Sequence, residues 1–160
     1  MFSIGDKVVY PMHGAGIIEE IEAKKILDEM RNYYIMKIPF GDMKVMIPVD
    51  NSEKIGVRDI VSEDVISEVM KKLGDEVSEM SDNWNKRYRE NMEKLKSGDV
   101  LQVTEVVRNL MHSERKKGLS TGERKMLLNA KQILISEIVL VRNLDIDTVE
   151  AQITRAVFGE

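Results

Sequence analysis

The chain has 160 residues, 42% of them hydrophobic and 32% charged, with three prolines and ten glycines, the profile of one folded domain or two small ones. It contains no cysteine and two histidines (His13 and His112), which removes disulfides, thiolate metal sites and a cysteine nucleophile, and leaves little for a histidine-based centre. The formal net charge of −4 argues against a general nucleic-acid binder. That average hides a segregation. Residues 1–83 carry 10 Lys+Arg against 17 Asp+Glu, residues 84–131 carry 12 against 6, and residues 132–160 carry 2 against 5. A basic segment inside an acidic chain suits one surface facing an anionic partner, and it equally suits solvated helix faces.

The first third reads as β. All three prolines (Pro11, Pro39, Pro48) and five of the eight aromatic residues fall within the first 48 positions. Lys7–Tyr10 predicts a strand stopped by Pro11, which has no N–H for a ladder. Ile17–Lys24 predicts the next, after Gly14-Ala15-Gly16, whose glycines are read as serving a tight turn. Tyr34, Met36 and Ile38 alternate along Asn32–Ile38, and Met43, Val45 and Ile47 alternate along Asp42–Pro48. Pro39-Phe40-Gly41-Asp42 is the turn between them. A fifth strand is expected at Ile55–Ile60. Five short antiparallel strands imply a small, strongly bent sheet or barrel.

From residue 62 the period becomes helical. Ser62 with Glu63 and Asp64 opens a helix to about Leu73, closed by Gly74. Val77–Asp82, within residues 74–82, reads as an acidic linker. A helix over about Asn83–Lys96 carries Trp84, Tyr88, Met92 (or Asn91) and Leu95 on one stripe. Ser97-Gly98-Asp99 breaks it, with Asp99 and Gln102 spaced as a capping box. The next helix has Val103, Val107 and Leu110 at core spacing and ends at Gly118. Ser120 and Glu123 form a second capping box that opens a long helix to about Val141. A last helix spans about Asp147–Phe158. The fold class is α+β: a bent antiparallel sheet over residues 1–61 followed by an all-helical bundle over 62–160.

Catalytic chemistry has no foothold in these patterns. Gly14-Ala15-Gly16 lacks the third glycine of a dinucleotide fingerprint and the Gly-Lys-Ser/Thr of a phosphate loop. Glu19, Glu20 and Glu22 read as a solvated sheet face with nothing apolar to raise a pKa, and Asp145-Ile146-Asp147 lacks the glycine and final glutamate of a calcium loop. No metal, cofactor or enzymatic activity is expected. The N-terminus lacks a secretory signal, and no apolar run approaches the roughly 18 residues of a membrane span, so a cytoplasmic protein is expected. Two features do suggest binding. The sheet's edges offer unpaired backbone groups to another protein. Asn83-Trp84-Asn85-Lys86-Arg87-Tyr88-Arg89 sets the single Trp beside three cations at a helix start, and Lys116, Lys117, Arg124, Lys125 and Lys131 extend the positive surface. Trp84 is either a wedge for DNA or a core anchor on its stripe.

At these residues the sequence resembles the CarD family of bacterial RNA polymerase-binding transcription regulators. The matching stretches in the first half are Gly5-Asp6-Lys7-Val8-Val9-Tyr10-Pro11 with His13-Gly14, Ile47-Pro48 and Val57-Arg58-Asp59. In the second half they are Asn83-Trp84, Arg87-Tyr88, Leu95, Ser97-Gly98-Asp99, Val106-Val107-Arg108, Glu114-Arg115, Gly118-Leu119-Ser120 and Ala130-Lys131-Gln132-Ile133-Leu134. The resemblance implies a Tudor-like N-terminal domain that docks on the polymerase β subunit and a helical domain that touches promoter DNA upstream of the melted region, stabilising the open complex. It places the family's tryptophan wedge on Trp84, with Lys86, Arg87 and Arg89 beside it, and a basic docking position on Lys24. A second docking position, arginine in some relatives, is Met46 here, a departure that bears on the strength of docking. A monomer is expected. The alternative is an adaptor on the polymerase with no direct DNA role.

Overall fold

In the computed structural model, which describes residues 1–159, a five-stranded antiparallel sheet is followed by a helical bundle. The strands are β1 (Lys7–Tyr10), β2 (Gly14–Ile26), β3 (Glu29–Lys37), β4 (Lys44–Pro48) and β5 (Arg58–Asp59), in spatial order β4-β3-β2-β1-β5. The first four form a meander, and β5 returns beside β1, which curls the sheet around Val8, Ile18, Tyr34, Met36, Ile38, Ile47 and Val57. Phe2 closes this core with its ring edge-on to Tyr34 at 5.9 Å.

Three features of the sheet differ from the sequence expectation. The expected fifth strand at Ile55–Ile60 shrinks to Arg58–Asp59, because Ser52–Ile55 forms a short helix, α1, ended by Gly56 at φ +91°. The β2–β3 hairpin is longer than expected and turns on Leu27 (φ +52°) and Asp28 (φ +64°), the backbone of a two-residue turn matched to strand twist. Leucine seldom takes that conformation, so the turn carries no glycine or asparagine signal. Gly14 opens β2 directly after the turn over residues 11–13, whereas Gly16 lies inside the strand rather than in the turn. Gly14 (φ +109°) sits where a Cβ would come 2.8 Å from the Ser136 hydroxyl, and a Cβ on Gly16 would come 2.5 Å from the Lys37 carbonyl. Close approach of neighbouring elements explains them.

The helices are α2 (Glu63–Leu73), α3 (Trp84–Lys96), α4 (Val100–Lys117), α5 (Thr121–Arg142) and α6 (Ile146–Phe158). Each starts at a side-chain cap, supplied in order by Ser62, Asn83, Asp99, Ser120 and Asp145. Asp99 accepts from the N–H of Leu101 and does not form the expected box with Gln102. Val103, Val106, Val107 and Leu110 of α4 pack with Ile66, Val69 and Leu73 of α2, Leu134 and Ile138 of α5, and Ile153 of α6 in one apolar core. The segment expected as a linker is strapped to α4. Arg108, 4% exposed, donates to the Lys72 carbonyl (3.1 Å) and to Ser78 Oγ (2.9 Å), while Asn109 Oδ1 accepts the Ser78 N–H (3.2 Å). These bonds satisfy a buried guanidinium that the apolar core alone could not hold.

The sheet and the bundle meet along α5. Arg58 of β5 makes a two-point ion pair with Glu137 (2.8 and 3.0 Å), and its Nε donates to the Gly98 carbonyl at 2.8 Å. Glu137 is 2% exposed and also accepts the Val61 N–H at 2.9 Å. Ser136 Oγ accepts the Ala15 N–H at 2.8 Å. Directional bonds from both sides therefore fix the orientation of the two modules, which apolar packing by itself would leave free to slide.

Candidate functional site

α3 projects its first residue, Trp84, at the far end of the bundle. Asn83 Oδ1 accepts the Lys86 N–H at 3.1 Å and so starts the helix just before the indole. Tyr88, one turn on, stacks against the ring with centroids 5.1 Å apart and planes 18° from parallel. The indole Nε1 donates to Ser120 Oγ at 3.1 Å, and the ring lies over Gly122, where a Cβ would sit at ordinary contact distance, 3.4 Å. Trp84 nevertheless remains 41% exposed, whereas Asn91 and Leu95 of the same helix are buried. It is thus a held, outward-facing ring and not the core anchor of its stripe.

Arg87 lies directly behind the indole and is turned inward. Its Nε and Nη2 donate to the two carboxylate oxygens of Glu123 at 2.8 and 3.2 Å, and Nη1 donates to the Ser81 carbonyl at 2.9 Å. Glu123 therefore does not return to the Ser120 backbone as the expected capping box requires; half of that box survives, in Ser120 Oγ accepting the Glu123 N–H at 3.2 Å. Ser120 consequently serves both the helix cap and the indole. Hydrogen bonds from Arg87 hold the Glu123 carboxyl below its ordinary value of 4.5 against the opposing effect of burial. A carboxyl with a lowered folded value stabilises the fold above pH 4.5, and loses that contribution as pH falls through the folded value. Glu123→Gln is accordingly expected to be about 1–3 kcal/mol less stable than the parent at neutral pH. The difference should narrow in acid, as followed by urea denaturation with Trp84 fluorescence at pH 7 and pH 3. An unchanged difference would show that the pair does not titrate with folding.

The remaining cations divide between two sides. Lys86 and Arg89 are exposed on the outer face of α3, with Lys86 3.9 Å from Glu90. Lys116 and Lys117 line a cleft of about 250 Å³ between the end of α4 and the strap over residues 77–82, walled by Arg87 and Glu123. Gly122 and Glu123 face Trp84 and Arg87; at about 100° per residue, Arg124 and Lys131 fall on the opposite side of α5, and Lys125 falls on the flank between the two, where it still borders the same groove as they do. Lys131 pairs there with Glu150 of α6 at 3.3 Å.

On the sheet, a bulge between Ile18 and Glu20 sets Glu20, Glu22 and Lys24 on the face turned away from the barrel core. Register places Ile35 and Met46 in line with Glu20, then Tyr33 and Pro48 with Glu22, then Arg31 with Lys24. Lys24 and Met46 thus share one face, and Met46 is 37% exposed. Sequence reasoning missed Arg31, because the hairpin turn that brings it opposite Lys24 has no turn signature, and missed the projecting apolar residues Ile26, Leu27 and Met30 at that end. The Glu20 carboxyl is pushed up, chiefly by its hydrogen bond with Glu22, a carboxylate pairing and not the effect of an apolar pocket. His13 stacks on Tyr10 at 4.1 Å and approaches the Pro11 carbonyl. Among the described residues no group of three His, Asp or Glu side chains is placed to hold a metal ion, and no helix is long and apolar enough to cross a membrane.

Comparison with known proteins matches both modules. Residues 2–61 match the family described as the CarD-like/TRCF RID domain, and residues 68–154 match the CarD C-terminal domain. The chain is also 39% identical over 144 residues to "Putative transcription factor YdeB" of Bacillus subtilis (strain 168), covering 90% of this chain and 94% of that protein. With its curled sheet on the first match and its helical bundle on the second, the chain belongs to the CarD family.

Proposed function

We propose that this protein regulates transcription initiation by binding the RNA polymerase β subunit through the outer face of its sheet and holding Trp84 against promoter DNA at the upstream fork of the bubble. The observation that carries the reading is the exposed indole, clamped by Tyr88 and Ser120 and joined through α5 to the RID-type sheet. The family match and the relative named as a transcription factor support the same reading.

The physical logic needs no basic protein. Lys86, Arg89, Lys116 and Lys117 supply a few phosphate contacts, and such patches bind DNA nonspecifically at only about 10⁻⁴–10⁻⁶ M. Tethering through the sheet raises the local concentration of the tip toward the mM range, so that the weak patch is occupied where polymerase already sits. Arg87, committed to Glu123, positions α3 rather than reaching phosphate. Arg124 and Lys131 behind α5, and Lys125 on its flank, add to the long-range field. Sequence readout is absent from this scheme, since an indole beside a base step senses stacking and not base identity.

Two measurements test it. The full chain should lengthen the half-life of open promoter complexes made with the cognate polymerase; an unchanged half-life defeats the proposal. Lys24→Glu should weaken binding to the isolated β subunit by about tenfold through charge reversal at the docking face, and undiminished binding would move the docking surface off this face.

A further inference from the structure

The side of α5 turned away from Trp84 carries a feature that DNA contact does not explain. Leu128 lies in the middle of a 22-residue helix whose inward side is already apolar, yet it is 60% exposed. It borders a groove of about 470 Å³ floored by Leu127 and flanked by Arg124 and Lys125. Glu114, Leu127 and Lys131 carry this groove into a second one of about 210 Å³, floored by Met111 and Phe158. The Arg115 guanidinium lies 3.4 Å over the Phe158 ring and roofs that end. The result is a continuous apolar channel with a mostly cationic rim, in which Arg115, Arg124, Lys125 and Lys131 face two carboxylates, Glu114 and Glu150. Among the described residues no carboxylate pairs with Arg124 or Lys125; Arg124 donates a long bond of 3.4 Å to the Leu119 carbonyl.

We propose that this groove docks an acidic segment of a partner protein, seated by apolar side chains on Leu127 and Leu128 and held by carboxylates against Arg124 and Lys125. The chemistry selects this occupant over two others. A DNA backbone would satisfy the cations but would set charged phosphates against a leucine floor, losing the apolar burial that an exposed Leu128 offers. A second copy of the chain docked about a two-fold axis would set this mostly cationic rim against the same rim, with too few carboxylates to compensate it. A segment alternating apolar and acidic residues satisfies floor and rim together, as an amphipathic helix does in a groove. The inference is independent of the docking and wedge roles proposed for Lys24 and Trp84.

The test uses the full chain and a fluorescein-labelled amphipathic peptide of about 14 residues (four helical turns) with leucine on one face and glutamate on the other. Anisotropy should report binding. Leu128→Gln and Lys125→Glu should each weaken it about tenfold, as expected for a central anchor and its flanking charge, with circular dichroism confirming unchanged helicity. A polyglutamate peptide of equal length should bind far more weakly. Equal binding of polyglutamate, indifference to Leu128→Gln, or no peptide binding at mM concentration each overturns the proposal. Loss of duplex-DNA affinity in Leu128→Gln without loss of peptide binding assigns the groove to DNA instead. A wild-type dimer in sedimentation that Leu128→Gln dissociates assigns it to a second copy.

Discussion

Trp84→Ala is expected to shorten the half-life of the open promoter complex about tenfold while leaving binding to polymerase unchanged. Separating strands at the fork unstacks base steps at a cost of a few kcal/mol per step. An indole that replaces even about 1.4 kcal/mol of that stacking shifts the equilibrium tenfold. The ring is well prepared for this task. It is held parallel to Tyr88 and anchored through Nε1 to Ser120, so little rotamer freedom remains to be lost on binding. Because 41% of the residue is already in solvent, truncation leaves only a shallow gap beside Tyr88 and Gly122, and thermal stability should fall by no more than about 1–2 kcal/mol. Trp84→Phe keeps a stackable ring but loses the bond to Ser120 and should lie between the two. The measurement is filter-binding or fluorescence decay of open complexes after a competitor challenge. If Trp84→Ala left the half-life untouched while Lys24→Glu abolished polymerase binding, the wedge would fall and an adaptor would remain.

Glu137→Ala should produce the largest loss of stability, about 3–5 kcal/mol. Removing one member of a buried ion pair strands the other, and here it also orphans the Val61 N–H. Arg58 retains the Gly98 carbonyl and some solvent contact, which places the expected loss toward the lower end of that range. For a chain of this length each kcal/mol moves the midpoint by roughly 2–4 °C, so a drop on the order of 10 °C is expected in calorimetry. The consequence should also reach function, because the pair sits where β5 meets α5. With the joint loosened, the tip is spread over more orientations relative to the docked sheet, its effective concentration at the fork falls, and open-complex half-life should shorten although Lys24 and Trp84 are intact. Arg58→Met with Glu137→Met should recover part of the stability, since two apolar side chains leave no uncompensated charge. A loss below about 1 kcal/mol in Glu137→Ala would show that the joint does not depend on this pair.

Much of the architecture was legible along the chain because its signals are local. Proline confined to the first 48 residues, alternation in Tyr34-Met36-Ile38, and Ser62, Asn83 and Ser120 before apolar periodicity all act over a few residues, where steric restriction and capping bonds operate. The α+β order and the boundaries of α2 to α6 followed from these to within a residue or two, whereas the short α1 did not. The exposed ring at Trp84 was half legible: its place in the first helical turn is local, but whether it faces core or solvent depends on what α5 brings beside it.

The residues that the sequence by itself could not place are the charged ones. Arg87, Arg58 and Arg108 look like solvated helix or strand cations, and each is committed to a partner far along the chain: Arg87 to Glu123, Arg58 to Glu137, and Arg108 to the Lys72 carbonyl and Ser78. Local patterns specify which elements form, since propensity and capping are properties of neighbours. Burial of a charge is tolerable only when a distant group arrives to compensate it. Only the folded arrangement could therefore decide which cations brace the protein and which face a partner.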